Sequence, residues 1–200
     1  MQSVIEQFRL NIHRVRDLVA IYSILENQTA GRLVFSDILR AAFVLAVSAL
    51  DYYVHEVVRI GMLEIYRGQR PETPAFSRFQ ISLSSLRQAL NEAASNDYLL
   101  ENEIRQRHSY QSFQRPDKIA DAIRLISDKQ LWKEAAVKMD IPAQEIKEQL
   151  SLIIGRRDQI AHEADIDRNY PDIRCPIDQV FVNEKVDFIE HIVESIHKIL

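Results

Sequence analysis

The sequence predicts an all-α protein: an antiparallel helical bundle with a helical insertion, formed as one domain over residues 1–200. Three observations lead there. Only four glycines and six prolines occur in 200 residues, a composition suited to helices and not to sandwiches or barrels. Apolar residues recur at three- and four-residue steps along most of the chain. No stretch alternates with period two for long enough to demand a strand.

The elements follow in order. Residues 3–26 place Val4, Phe8, Ile12, Val15, Val19, Tyr22 and Leu25 on one helical stripe, and "NQTAGR" then breaks the pattern. Ser36 or Asp37 suits the cap of a second helix, which runs to about Tyr66 and stops at Gly68. Its apolar run, "AAFVLAVSAL", lies between Arg40 and Asp51. That run is too short for a bilayer, which takes roughly 20 residues. It predicts a central helix buried on nearly all sides. "GQRPETPAF" is a loop. Residues 83–94 form a short helix capped by Ser82, and 97–113 a weaker one. Pro116 and Asp117 open another, and "DKQLWKEAAVKM" follows. Pro142 sits near the first turn of a long helix that ends in "GRRDQIAHEAD". Residues 165–178 read as loop. Asn183 is the expected cap of a final amphipathic helix, with Val186, Ile189, Val193, Ile196 and Leu200 facing inward.

Several classes of chemistry are missing. The net charge of −4 argues against a general nucleic-acid coat, though not against a local basic site. The single cysteine, Cys175, cannot form a disulfide within the chain, so a reducing cytoplasm is the expected compartment. Glu6 and Arg9 interrupt the N-terminal apolar pattern, unlike a signal peptide. There is no glycine-rich phosphate loop and no HExxH: the pairs His55-Glu56 and His162-Glu163 lack the second histidine. His191, Glu194 and His197 recur at three-residue steps, but a solvated face explains that spacing more simply than a metal. Asp51 and His55 share a face of the central helix, and a buried hydrogen bond between them is expected. Such a pair could also line a cleft.

The stretch "RRDQIAH" concentrates charge. Asp158 and His162 lie four apart, on one helical face, where a carboxylate could orient an imidazole. Arg157 precedes His162 by five residues, about 140° away around the helix. The two converge only if the arginine wraps, or if a second copy of the helix packs against the first. The chemistry suits RNA cleavage: a histidine takes the proton of a 2′-hydroxyl and a guanidinium binds the scissile phosphate. By spacing alone, the commoner explanation is that basic residues favour helix C-termini. Residues 104–118 add Arg105, Arg107, Arg115 and Lys118, interleaved with His108, Tyr110 and Phe113. Cations with rings suit a single strand; a solvated loop with core aromatics fits the pattern about as well.

The motif changes this weighting. Arg157-Asp158-Gln-Ile-Ala-His162 resembles the R-[ND]-x-x-x-H signature of HEPN domains, and Arg156 fits its longer-spaced form. Residues 37–58 resemble the long hydrophobic helix of the RiboL-PSP-HEPN branch, as "SFQRPDKI" at 112–119 does. The resemblance covers nearly the whole chain. It implies a HEPN-like antiparallel helical core, often a homodimer with both motifs at the interface. It implies a metal-independent endoribonuclease without cofactor, leaving a 2′,3′-cyclic phosphate, in a toxin–antitoxin, antiviral or stress system. Arg157 and His162 then take catalytic roles and Asp158 a polar supporting one. RNA contacts are then expected from Arg156 beside the motif and, by the basic and aromatic pattern of residues 104–118, from Arg105, Arg107, Arg115 and Lys118. Control falls to an antitoxin or regulatory protein from a neighbouring gene, with no membrane partner. The alternative is a non-catalytic dimer that binds RNA or protein.

Overall fold

The computed structural model describes residues 1–29, 34–91 and 96–200. Among the described residues eight helices follow one another: α1 (Gln2–Thr29), α2 (Ser36–Tyr66), α3 (Leu83–Asn91), α4 (Asn96–His108), α5 (Pro116–Arg124), α6 (Leu131–Met139), α7 (Ala143–His162) and α8 (Gln179–Ile199). The chain is all-α. Among the described residues the only β-type pairing is an isolated bridge between Ile166 and Arg174.

The apolar stripes do what their spacing predicts. Val4, Phe8, Ile12, Val15 and Val19 of α1 are buried against α2 and α8. Val186, Ile189, Val193 and Ile196 of α8 close the same core. The long helix α2 is central: α1, α4, α5, α7 and α8 all pack on it. By length and composition α2 could cross a membrane, yet Leu39, Phe43, Val47, Leu50, Tyr53, Val54, Val57 and Met62 are fully enclosed by the bundle. Gly61 has a packing reason, because a Cβ there would come within 2.7 Å of the Ile126 side chain. Gly68, at φ 71°, ends α2 in the left-handed region. The insertion has two characters. Helix α3 buries none of its residues and rests on α4, whereas α6 packs on α7 and α8 as part of the bundle.

Several local expectations change. Ser36 does not cap α2; it lies inside the first turn, where its hydroxyl accepts from Arg40 Nη1 at 2.7 Å. Asp178, not Asn183, caps α8, its carboxylate accepting from the Phe181 N–H at 2.8 Å. A carboxylate there meets the free amides and positive dipole end together. Ser82 does cap α3, accepting from the Ser85 N–H at 3.1 Å. Helix α4 ends at His108, and Phe113 lies beyond it in loop. Residues 30–32 of the "NQTAGR" break and 92–94 of the expected 83–94 helix fall outside the described residues.

Candidate functional site

Helix α7 buries Ile146, Leu150, Ile153 and Ile154. Continuing that stripe by three brings Arg157 to the half-buried side of the helix, with its side chain 18% exposed. The face opposite carries Ser151, Gly155 and His162, all exposed. His162 is the last residue of α7. Glu163 then closes the helix, its N–H donating to the Gln159 carbonyl. Ala164 and Asp165 both adopt positive φ, 53° and 60°, so the chain turns sharply back.

That turn drives Asp165 into the protein, where it is fully buried. Two arginines meet it. Arg40 Nε donates to Oδ2 at 2.6 Å, and Arg156 Nη1 lies 2.5 Å from Oδ1. Both guanidiniums also donate to the Cys175 carbonyl. The Cys175 N–H returns a bond to the Asp165 carbonyl at 2.8 Å. Arg156, expected on RNA, therefore spends its guanidinium on fastening residues 163–178 to the end of the motif helix. Neither Arg40 nor Asp165 stood out in the sequence. The one available signal was an arginine inside the most apolar helix, since a buried charge requires a partner.

Asp158 and His162 share a face but no hydrogen bond or ion pair joins them. Asp158 is engaged elsewhere: Arg157 Nη1 lies 3.2 Å from Oδ1, and Arg115 Nη2 donates to Oδ2 at 3.2 Å. The carboxylate links two cations, as expected where opposite charges sit within about 4 Å. Arg157 Nε is buried and has no hydrogen-bond partner among the described residues.

The Asp51–His55 pair also differs from expectation. Its closest approach is 3.7 Å, too long for a hydrogen bond. Asp51 instead accepts from the Phe113 N–H at 2.6 Å and from Gln114 Nε2 at 3.1 Å. It thereby holds the segment whose next residue, Arg115, reaches Asp158. His55 stacks near Phe113, at 4.4 Å between ring centres, and faces a cleft of about 500 Å³. His108, on the cleft's inner wall, is pushed down to about 4 by burial, with His55 and Arg107 adding to the effect.

The 104–118 segment is less available than its composition implies. Arg105 is held by Glu101 at 3.0 Å and approaches Glu56. Arg107 lies over the Phe79 ring. Phe113 and His108 are buried, while Tyr110 is almost fully exposed. Lys118 is exposed and has no acidic partner among the described residues. On α8, Glu194 is taken by Arg9, and His197 Nδ1 lies 3.3 Å from the Tyr53 hydroxyl. Among the described residues no three His, Cys, Asp or Glu side chains are grouped to hold a metal ion.

An all-α bundle whose penultimate long helix ends in Arg-Asp-x-x-x-His defines the HEPN class of domain. The chain belongs to the RiboL-PSP-HEPN family, whose model matches residues 9–200. Neither a curated protein nor a solved structure gives a match.

Proposed function

We propose that the protein is a metal-independent endoribonuclease that acts as a homodimer. The observation that carries this reading is the pose of the motif. Arg157 offers a partly buried guanidinium whose Nε has no partner, and His162 stands exposed at the helix end. The two point to different sides of α7, so one chain does not complete a site. A second copy of α7 would supply it. The outer face of α7 suits such an approach: Leu152 is 74% exposed, and a Cβ at Gly155 would meet nothing. A glycine inside a helix costs about 0.5–1 kcal/mol relative to alanine, and no contact among the described residues explains it.

In the composite site, neutral His162 of one protomer takes the 2′-hydroxyl proton. The 2′-oxygen attacks phosphorus and the bond to the 5′-oxygen breaks. Protonated His162 of the other protomer gives its proton to that leaving oxygen. A 2′,3′-cyclic phosphate and a 5′-hydroxyl remain. Arg157 neutralises charge on the phosphate as it develops, and Asp158 holds Arg157 in place.

The missing Asp158–His162 contact favours a second reading, a non-catalytic dimer that binds RNA or protein. Incubation of purified protein with RNA in EDTA, followed by end-group analysis, separates the two. Cyclic phosphate ends that vanish in Arg157→Ala and His162→Ala support the nuclease. Intact RNA with wild-type protein supports the binding module. Membership of a toxin–antitoxin, antiviral or stress system, with control by a neighbouring gene's product, belongs to the same proposal.

A further inference from the structure

A groove of about 630 Å³ opens where α5, α6 and the start of α7 meet. Its walls include Arg78, Arg124, Lys129, Lys133 and Lys147, against the single acid Asp128. This is a dense positive patch on a chain whose net charge is −4. Two of the five cations are engaged: Arg124 with Asp121, and Lys129 with the Ile199 carbonyl. Arg78, Lys133 and Lys147 have no acidic partner among the described residues. An uncompensated cluster raises the local concentration of anions.

Trp132 lies in the same groove and also in the cleft beside it. Its Nε1 donates to the Pro116 carbonyl at 2.9 Å, which fixes the plane of the ring. A fixed indole among lysines combines the two elements that grip a single strand, stacking and phosphate neutralisation. The adjoining cleft, about 770 Å³, shares Arg124, Trp132 and Lys147 with the groove and runs on to Ser151 and Leu152. Asp117 and Glu148 balance the cations of this middle part, so the charge grip sits at the groove itself. Lys147 and His162 lie on one side of α7, near its two ends. The distance from Lys147 to His162 is roughly 22 Å of helix.

We propose that this groove holds the backbone of a single-stranded RNA several nucleotides away from the bond cleaved at Arg157 and His162, with Lys133 and Lys147 on phosphates and Trp132 under a base. The inference rests on the ribonuclease reading for the identity of the strand, but the groove is tested by binding alone. The probe is a fluorescent 2′-O-methyl RNA of about 12 nucleotides, within the usual range of single-strand sites, which lacks the attacking hydroxyl and cannot be cut. Lys133→Glu/Lys147→Glu should weaken its binding at least about tenfold and lower the salt slope by about 1.4, at about 0.7 per phosphate contact on a single strand. Should the double reversal lose helical circular dichroism, Lys133→Gln/Lys147→Gln carries the test, with about a fivefold loss expected from the same two contacts. Unchanged affinity and slope in a folded variant overturn the groove, even if RNA is cleaved. No binding by wild type at low salt overturns it too, as does equal displacement of the probe by polyglutamate. Binding by wild type, lost in the variant, without cleavage of natural RNA upholds the groove and overturns only the nuclease.

Discussion

Asp165 offers the sharpest test of how the motif helix is anchored. Its carboxylate is fully buried, 2.6 Å from Arg40 Nε and 2.5 Å from Arg156 Nη1. Asp165→Asn keeps the shape and tolerates the positive φ, since asparagine enters the left-handed region readily. It removes the charge and turns an amide N–H₂ towards one guanidinium. Breaking a buried ion pair from one side costs about 3–5 kcal/mol, and the two arginines have other acceptors in the Cys175 carbonyl and neighbours. The lower end, about 3 kcal/mol, is therefore expected for Asp165→Asn. Asp165→Ala also loses local tolerance of that backbone, adding about 1 kcal/mol. Against a total stability of about 5–15 kcal/mol, both shifts are large. Urea unfolding followed by circular dichroism measures them. If both variants fall within about 0.5 kcal/mol of wild type, as surface changes do, the trio is not an anchor.

Arg157→Ala and His162→Ala should each abolish RNA cleavage while leaving the urea midpoint nearly unchanged; wild-type rates in both would remove them from the mechanism. Gly155→Arg should convert a dimer into a monomer by light scattering, and Gly155→Ala should stabilise the isolated fold by about 0.5–1 kcal/mol; a dimer that survives Gly155→Arg places the interface elsewhere. Acid should weaken the fold through His108, which the unfolded chain protonates near 6.5 and the folded chain only near 4. Stability then falls as pH drops across that window, by on the order of 3 kcal/mol. His108→Gln should flatten the decline in urea midpoint from pH 6.5 to 4; an unchanged decline assigns it to other groups.

The helices were legible because burial and period coincide: the stripe from Val4 to Val19 names both an element and its buried face. Helix ends were less so, since Asp178 and Asn183 are equally good caps by type and only the loop's path decides between them. The candidate site was legible as a motif but not as a set of contacts. Spacing gives angles along one helix and is silent about what stands opposite. Asp51 and His55 were rightly put on one face, yet Asp51 is claimed by the backbone of residue 113, more than sixty positions away. Arg107 and Arg115 read as free charges because Phe79 and Asp158 reach them only through the fold, whereas the Glu101 that holds Arg105 stands one turn earlier on the same helix.

The phase of α7 makes the same point about the two motif arginines. Ile146, Leu150, Ile153 and Ile154 fix the inward direction. Arg157 extends that stripe, so its aliphatic stem packs inward while its guanidinium stays at the edge. Arg156 lies about 100° further round, on the flank where the chain returns as residues 163–178, and Asp165 captures it there. One arginine is consumed in holding the loop and the other is left with an unpartnered Nε. Arg156→Ala should therefore cost stability by about 1–3 kcal/mol, through the acceptors it leaves unsatisfied at Asp165 while Arg40 still balances the carboxylate charge, and its RNA binding should keep the normal salt slope. Arg157→Ala should do the reverse. Measuring urea midpoint and salt slope for both variants separates anchor from phosphate ligand. A salt slope reduced by Arg156→Ala and unchanged by Arg157→Ala would exchange their roles.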